Sequence, residues 1–315
     1  MSVIFFNHKI QNCGVYQYGK RLNDILQKSL DIMYIYKEID HVEEYYQALK
    51  EYTHIKAIIY NYHQSTMNWL NASNIQKKIK NIGIPHESPE TLFDIICDID
   101  PTSTERNNRF ALPRPIFNNV NGILKNHISS ETVGRFINYS EQNVPIFGSF
   151  GFGFTNKGFD KIVKMVNNQY ENAIIKFVIP TAHFDPNPHT AIIARNMILN
   201  ENNKKGIKIL ILHEFLSNED ILLFLNSNTM NIFLYDTMNN RGISSTIDYA
   251  LSVKKPLGIS NSYMFRNIYS DEICLYKTSM KDCILNSVDY CNKFVNEYSE
   301  ENIINKFNYI INNNI

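Results

Sequence analysis

Glycine and proline are scarce in this chain, 12 and 10 of 315 residues. That scarcity excludes collagen-like, linker-like and low-complexity architectures and favours long regular elements with short connections. An excess of charge of either sign is missing as well: 31 Lys+Arg meet 31 Asp+Glu, for a formal net charge of +0. Such a chain has no global field for holding a polyanion, so nucleic acid is not expected as a partner. No run of 18 apolar residues occurs; the densest stretches, 207–212 and 221–225, have the length of core strands or helices, and stable membrane insertion is not expected. The N-terminus, MSVIFFNHKIQNCG, lacks the charged head, long apolar stretch and cleavage site of a secretory signal, which predicts a cytoplasmic protein. The five cysteines, Cys13, Cys97, Cys274, Cys283 and Cys291, are widely spaced and form no C-x-x-C pair. They read as reduced thiols, not as a disulfide frame or zinc site.

What is present is material for a core: 44% hydrophobic and 12% aromatic residues, in a length that suits two domains. Short apolar runs alternate with amphipathic stretches, the pattern of parallel strands joined by crossover helices. In the first half, 3–7, 32–36, 57–61, 82–85 and the apolar stretch 92–97 read as strands, with helical patterns at 16–28, 42–51 and 67–80. The polar stretch DPTSTERNNRFALPRPIFNN reads as a surface connection. The alternation restarts at VPIFGSFG, with helices at 158–170, 190–200, 218–226 and 244–252 and strands at 174–179, 207–212, 232–235 and 256–259. The expected fold class is α/β, with two tandem Rossmann-like doubly wound domains facing a central cleft. The expected domains are 1–140, 141–278 and a helical segment 279–315 packing back on the first.

Ligands of such folds bind outside the C-terminal ends of the strands. Three segments fall there. The loop Asn7–Tyr16 carries His8, Asn12 and Gly14; the glycine suits close approach of a substrate, and equally an ordinary turn. The second segment holds Gly151, Gly153, Lys157 and Gly158. It fails as a dinucleotide fingerprint because position 156 is Asn156, and as an NTPase phosphate loop because Phe159 and Asp160 follow Gly158. What survives is an anion site of backbone N–H groups with Lys157 beside them. The third segment, Tyr235–Ala250, reads as a strand end, a polar loop with Asn240 and Arg241, and a helix headed by Gly242, Ser244, Ser245 and Thr246; it offers hydroxyls, a helix start and a guanidinium suited to a diphosphate, with Asp248 placed for ribose hydroxyls. An N-capping serine ahead of an ordinary helix is the plainer alternative. His213 and Glu214 follow a strand at the same edge. His183, Asp185 and His189 count as metal ligands on paper, but the intervening prolines force an extended loop, and no metal is expected.

FGSFGFGFTNKGFDKIV and RGISSTIDYALSVKKPLGIS together resemble the donor-binding half of GT-B fold glycosyltransferases. Lys157-Gly158 matches the family's Lys-Gly pair, Asp248 the second acid of its acid-x7-acid segment, and Lys255-Pro256 the strand that follows. The resemblance covers most of 145–265 and, more loosely, the Gly14 loop. Two positions depart: the first acid falls on Asn240, and the arginine five residues before Lys-Gly is Phe152. The resemblance implies transfer of a sugar from a nucleoside-diphosphate sugar to an acceptor hydroxyl, without metal or cofactor, the nucleotide sugar being a substrate. The donor would lie on Lys157, Asn240, Arg241, Gly242, Ser244, Ser245, Thr246, Asp248, Gly151, Gly153, His213 and Glu214. A carbohydrate, lipid-linked or small-molecule acceptor would lie near Gly14 and Asn12. His86 sits where related enzymes carry a functional histidine, so His86 and His8 are the candidate bases, as groups that titrate near neutrality. A nucleotide-sugar epimerase and a catalytically degenerate two-lobed binding protein are the competing readings.

Overall fold

A computed structural model describes residues 1–314 except Thr53, Pro89, Glu90, His183, Pro186, Pro188, Asn239 and Asn240. Internal contacts divide the chain into two units, one of Met1–Ile116, Asn240–Ile243 and Glu297–Ile315, the other of Phe117–Asn239 and Ser244–Asn296.

The first unit is a six-stranded sheet of order β2-β1-β3-β4-β5-β6, parallel throughout. Its strands are β1 (Ser2–Asn7), β2 (Met33–Glu38), β3 (Ile55–Tyr62), β4 (Lys80–Pro85), β5 (Ile95–Asp98) and β6 (Arg109–Ala111). An all-parallel sheet is covered on both faces, so its inner strands run apolar without a polar side. Val3 and Phe5 pack towards Leu22, Ile25 and Leu26 of α1 (Gly14–Leu26), whereas Ile4 and Phe6 pack with Tyr45 and Ala48 of α2 (Val42–Glu51). The last helix, Glu300–Asn314, buries Ile303, Phe307, Ile310 and Ile311, one stripe at helical spacing, in the α1 layer. Lys28 and Glu300 pair across it at 2.6 Å.

Two expectations fail in this unit. Residues 67–79 form turns and bends, not a helix, and Lys80 already opens β4. Met67, Leu70 and Ile75 are buried, but the polar side chains between them capture local backbone: Asn71 N–H donates to Asn74 Oδ1 (2.8 Å), Ser73 N–H to Asn71 Oδ1 (2.9 Å) and Lys78 N–H to Gln76 Oε1 (2.9 Å). Such bonds compete directly with the helical ladder. The stretch read as a surface connection contains β6, and Arg114 within it is buried, donating to the Ile99 carbonyl at 2.8 Å with its guanidinium 4.9 Å from the Tyr18 ring centre.

The second unit is a parallel sheet of order β11-β10-β7-β8-β9. Its strands are β7 (Ile146–Phe150), β8 (Ala173–Val178), β9 (Ile207–Leu212), β10 (Met230–Phe233) and β11 (Leu257–Ile259). The helices are α3 (Val120–Asn126), α4 (Glu131–Asn138), α5 (Phe159–Gln169), α6 (Thr190–Glu201), α7 (Asn218–Asn226), α8 (Thr246–Ser252) and α9 (Met280–Glu297). The division falls at Ile116/Phe117 and not near residue 140, because α3 and α4 pack on α7: His127 Nε2 lies 2.7 Å from Asp220 Oδ1. The segment 279–315 is itself divided. Through Asn296, α9 belongs to the second unit, where Ser287 Oγ accepts from Leu257 N–H at 3.1 Å; the last helix belongs to the first. Among the described residues no helix is long and apolar enough to cross a membrane.

Lys176 interrupts the apolar run of β8 and is fully buried, its ammonium donating to the Ile137 carbonyl at the end of α4, 2.6 Å away. Burial pushes its pKa from 10.5 down to about 8. Between those values the unfolded chain binds more protons than the folded one, so this group makes stability rise with pH and the gain is absent below pH 8. Wild type is therefore expected to gain melting temperature relative to Lys176→Met as pH is raised from 7.5 to 10. A constant difference between the two across that range would contradict it.

Candidate functional site

Each sheet reverses its winding once, between β1 and β3 in the first unit and between β7 and β10 in the second. The connections leaving the two strands at such a point diverge and open a ligand crevice at their C-terminal ends.

In the first unit, that point is built from amides. Asn7 closes β1 and Asn61 lies near the end of β3; Asn61 Nδ2 donates to Asn7 Oδ1 at 2.9 Å. His86 follows β4, with Nε2 2.7 Å from Asn61 Oδ1. His8 follows Asn7, and its Nδ1 accepts from Ile10 N–H at 3.1 Å. Both candidate histidines thus lie at the switch point, and both are buried. Desolvation lowers the His86 pKa well below its ordinary value, and Arg114, His63 and His8 lower it further, so the ring is neutral at neutral pH. Gly14 is the exposed first residue of α1, and Asn12 is exposed just before it. Asn7 and Asn61 escape a motif search. Their signal is an amide ending an otherwise apolar strand.

In the second unit, Gly158 explains the Lys-Gly pair. Its backbone is left-handed (φ 64°), and a Cβ there would stand 2.1 Å from the Leu234 carbonyl oxygen. Only glycine meets both conditions at low cost. The turn it permits sets the Lys157 ammonium 3.9 Å from the centre of the Tyr235 ring, just past β10. Gly151 (φ 148°) lies beside the Tyr235 hydroxyl, which donates to Thr246 Oγ1 at 3.3 Å. Tyr235, which the sequence places at the end of a strand without assigning it a role, joins these three predicted residues. Gly153, in contrast, is buried against Ala191 at the start of α6 and serves packing there.

The expected diphosphate loop is largely engaged. Ser244 and Thr246 are buried with their hydroxyls 2.9 Å apart, Asp248 is fully buried, and Ser245 stays half-buried. The Glu87 carboxylate accepts from Arg241 Nη1 and from Gly242 N–H, each at 2.7 Å. An internal anion therefore already sits on the two groups expected to hold a diphosphate, and it is held by a residue with left-handed backbone (φ 53°). Asn240 lies outside the described residues.

His213 and Glu214 are exposed after the edge strand β9, away from the β7/β10 switch point; His213 Nδ1 donates to the Ile179 carbonyl at 2.9 Å. Phe152, standing where the resemblance has an arginine, joins Phe154, Phe184 and Phe215 at ring-centre distances of 5.6–6.4 Å. His183 lies outside the described residues, and Asp185 accepts from Thr190 Oγ1 at 2.6 Å near the start of α6.

The sequence matches no family model and no curated protein. Solved structures do match along the full chain. HepE of Anabaena in complex with UDP and glucose is 9% identical, with 99% of each chain covered and a TM-score of 0.67. An alpha-glucosyltransferase in complex with UDP is 12% identical, again over 99% of each chain, at 0.60. The UDP-GlcNAc 2-epimerase of Neisseria meningitidis bound to UDP-GlcNAc is 11% identical over 99% of each chain, at 0.57. At such identities the likeness establishes the fold. It agrees with the α/β architecture of two tandem parallel units read from sequence.

Gly158→Ala is expected to destabilise the protein by more than about 1 kcal/mol, since it adds left-handed strain to a backbone clash. Urea unfolding measures it; a loss within about 0.3 kcal/mol would show that the turn relaxes freely.

Proposed function

We propose that this protein is a glycosyltransferase that moves a sugar from a nucleoside-diphosphate sugar to an acceptor hydroxyl. The observation that carries the reading is the full-length fold match to proteins holding UDP, glucose or a UDP-sugar, joined to polar clusters at both switch points. In the proposed reaction the bond between the sugar's anomeric carbon and the diphosphate oxygen breaks, and the acceptor oxygen forms the new bond. Lys157 stabilises the charge that develops on the departing diphosphate. Arg241 is a further cation for that charge once its Glu87 partner yields. Neutral His86 accepts the acceptor's proton, which suits a ring kept unprotonated by burial. His8 is the second candidate, although its Nδ1 already accepts from Ile10 N–H at 3.1 Å, which leaves the ring's hydrogen on Nε2.

No cofactor enters this scheme, because the nucleotide sugar is itself the substrate. The five buried cysteines fit a reducing, cytoplasmic setting. The epimerase reading rests on the fold shared with the Neisseria enzyme and uses the same donor class. Formation of an acceptor-dependent product separates the two.

Three outcomes are expected. A thermal-shift screen with UDP, GDP, ADP, CMP and their sugar conjugates raises the melting temperature selectively with one nucleoside diphosphate, and Lys157→Ala reduces that shift; absence of any shift removes the donor reading. Glu87→Gln, by releasing the Arg241 charge, tightens nucleotide binding severalfold, whereas unchanged affinity would take Arg241 out of the site. His86→Ala lowers turnover about 100-fold with little change in donor affinity; wild-type turnover would exclude it as the base.

A further inference from the structure

The hydrogen atoms around His86 are determined by backbone groups whose roles are not in question. The Asn61 Nδ2 group lies 2.8 Å from the Val15 carbonyl oxygen, which can only accept. The same nitrogen donates to Asn7 Oδ1, whose own identity is set in turn: it accepts from His8 N–H at 3.0 Å while Asn7 Nδ2 donates to the Tyr16 carbonyl at 3.1 Å. Asn61 therefore presents its oxygen to His86, and an oxygen 2.7 Å from Nε2 requires Nε2 to carry the hydrogen. A neutral imidazole has only one.

We infer that Asn61 is a positioning residue that holds His86 as the Nε2–H tautomer and so makes Nδ1 the nitrogen that takes a proton from the bound acceptor. The role given to Nδ1 rests on the transferase reading; the tautomer does not. The network continues away from the site, from Asn7 Nδ2 to the Tyr36 hydroxyl (3.0 Å) and from Tyr36 to Glu38 (3.0 Å), which leaves the Asn7 amide no freedom to flip. Gly19 of α1 makes room for it: a Cβ there would stand 2.3 Å from Asn61 Nδ2. Tyr18 on α1 packs on the ring at 5.0 Å between centres, and the titratable and charged groups that act on it are Arg114 beyond β6, His63 beyond β3 and His8 beyond β1. The cations and imidazoles among them oppose a second proton, so one tautomer persists through the neutral range.

Long-range proton–nitrogen correlation spectra of the full chain labelled with 15N-histidine test this directly, with the His86 signals identified by their loss in His86→Gln. At pH 7.5 His86 is expected to show a protonated Nε2 and an unprotonated Nδ1. The reverse pattern, or a doubly protonated ring, overturns the inference, and this readout needs no other variant to fold. Asn61→Leu is expected to abolish the preference, giving mixed tautomers; retention of the wild-type pattern would mean that Asn61 does not position the ring. His86→Gln keeps an N–H donor towards Asn61 but lacks Nδ1, so turnover is expected to fall about 100-fold while donor KM stays within about twofold. Wild-type turnover in that variant would refute the role of Nδ1. Absence of transfer by the wild type with any donor tells against the transferase reading while the spectra still decide the tautomer.

Discussion

Every pairing between strands in both sheets is parallel, and the location of both polar clusters depends on that. Parallel strands end at one edge, so all the loops that leave them gather there, and each crossover runs back along the sheet, through a helix at α1, α2, α5, α6, α7 and α8 and through turns between β3 and β6. The winding reverses at a single place in each sheet, which decides which loop ends diverge. In the first unit the two strands at that place end in Asn7 and, one residue before its last, Asn61, both fully buried. Their amides donate to the carbonyls of Val15 and Tyr16 in the first turn of α1, which ties both strand ends to the start of that helix. Structural need and site geometry coincide in the same two side chains.

The chemistry of the first unit derives from its burial. An imidazole enclosed by aromatic and amide groups, with a guanidinium nearby, loses its charge long before a solvated one would. Such a ring is a proton acceptor at neutral pH, and its hydrogen-bond partner decides which nitrogen accepts. In the second unit geometry acts through the backbone. The left-handed turn at Gly158 brings Lys157 over Tyr235, so one residue without a side chain fixes where a positive charge stands. Phe152, with Phe154, Phe184 and Phe215 around it, makes the neighbouring loop aromatic.

Much of this was legible in the sequence. Apolar runs such as VIFF and AIIKFV cannot be solvated, and their alternation with amphipathic stretches allows few arrangements other than parallel sheets with crossover helices. His8 and His86 were visible because they come directly after such runs, Lys157 and Gly158 because they stand in a glycine-rich segment just ahead of a helix. The helix expected at 67–80 was not formed, since its apolar spacing is helical while its asparagines and glutamine bond to their own backbone. Strand β6 was hidden by its brevity, three residues in a polar context, and it forms because β5 offers an edge to pair with.

Local patterning thus determined the class of fold, the order of most elements and the chain positions at which polar groups emerge from the sheets. Tertiary structure alone decided which of those groups meet. Ser244, Thr246 and Asp248 end up buried, and Glu87 reaches Gly242 from 155 positions away. Periodicity records whether a side chain faces the core; it holds no information on partners distant in sequence. Those partners are selected by strand order and by the close approach that a glycine, at 19 or at 158, allows.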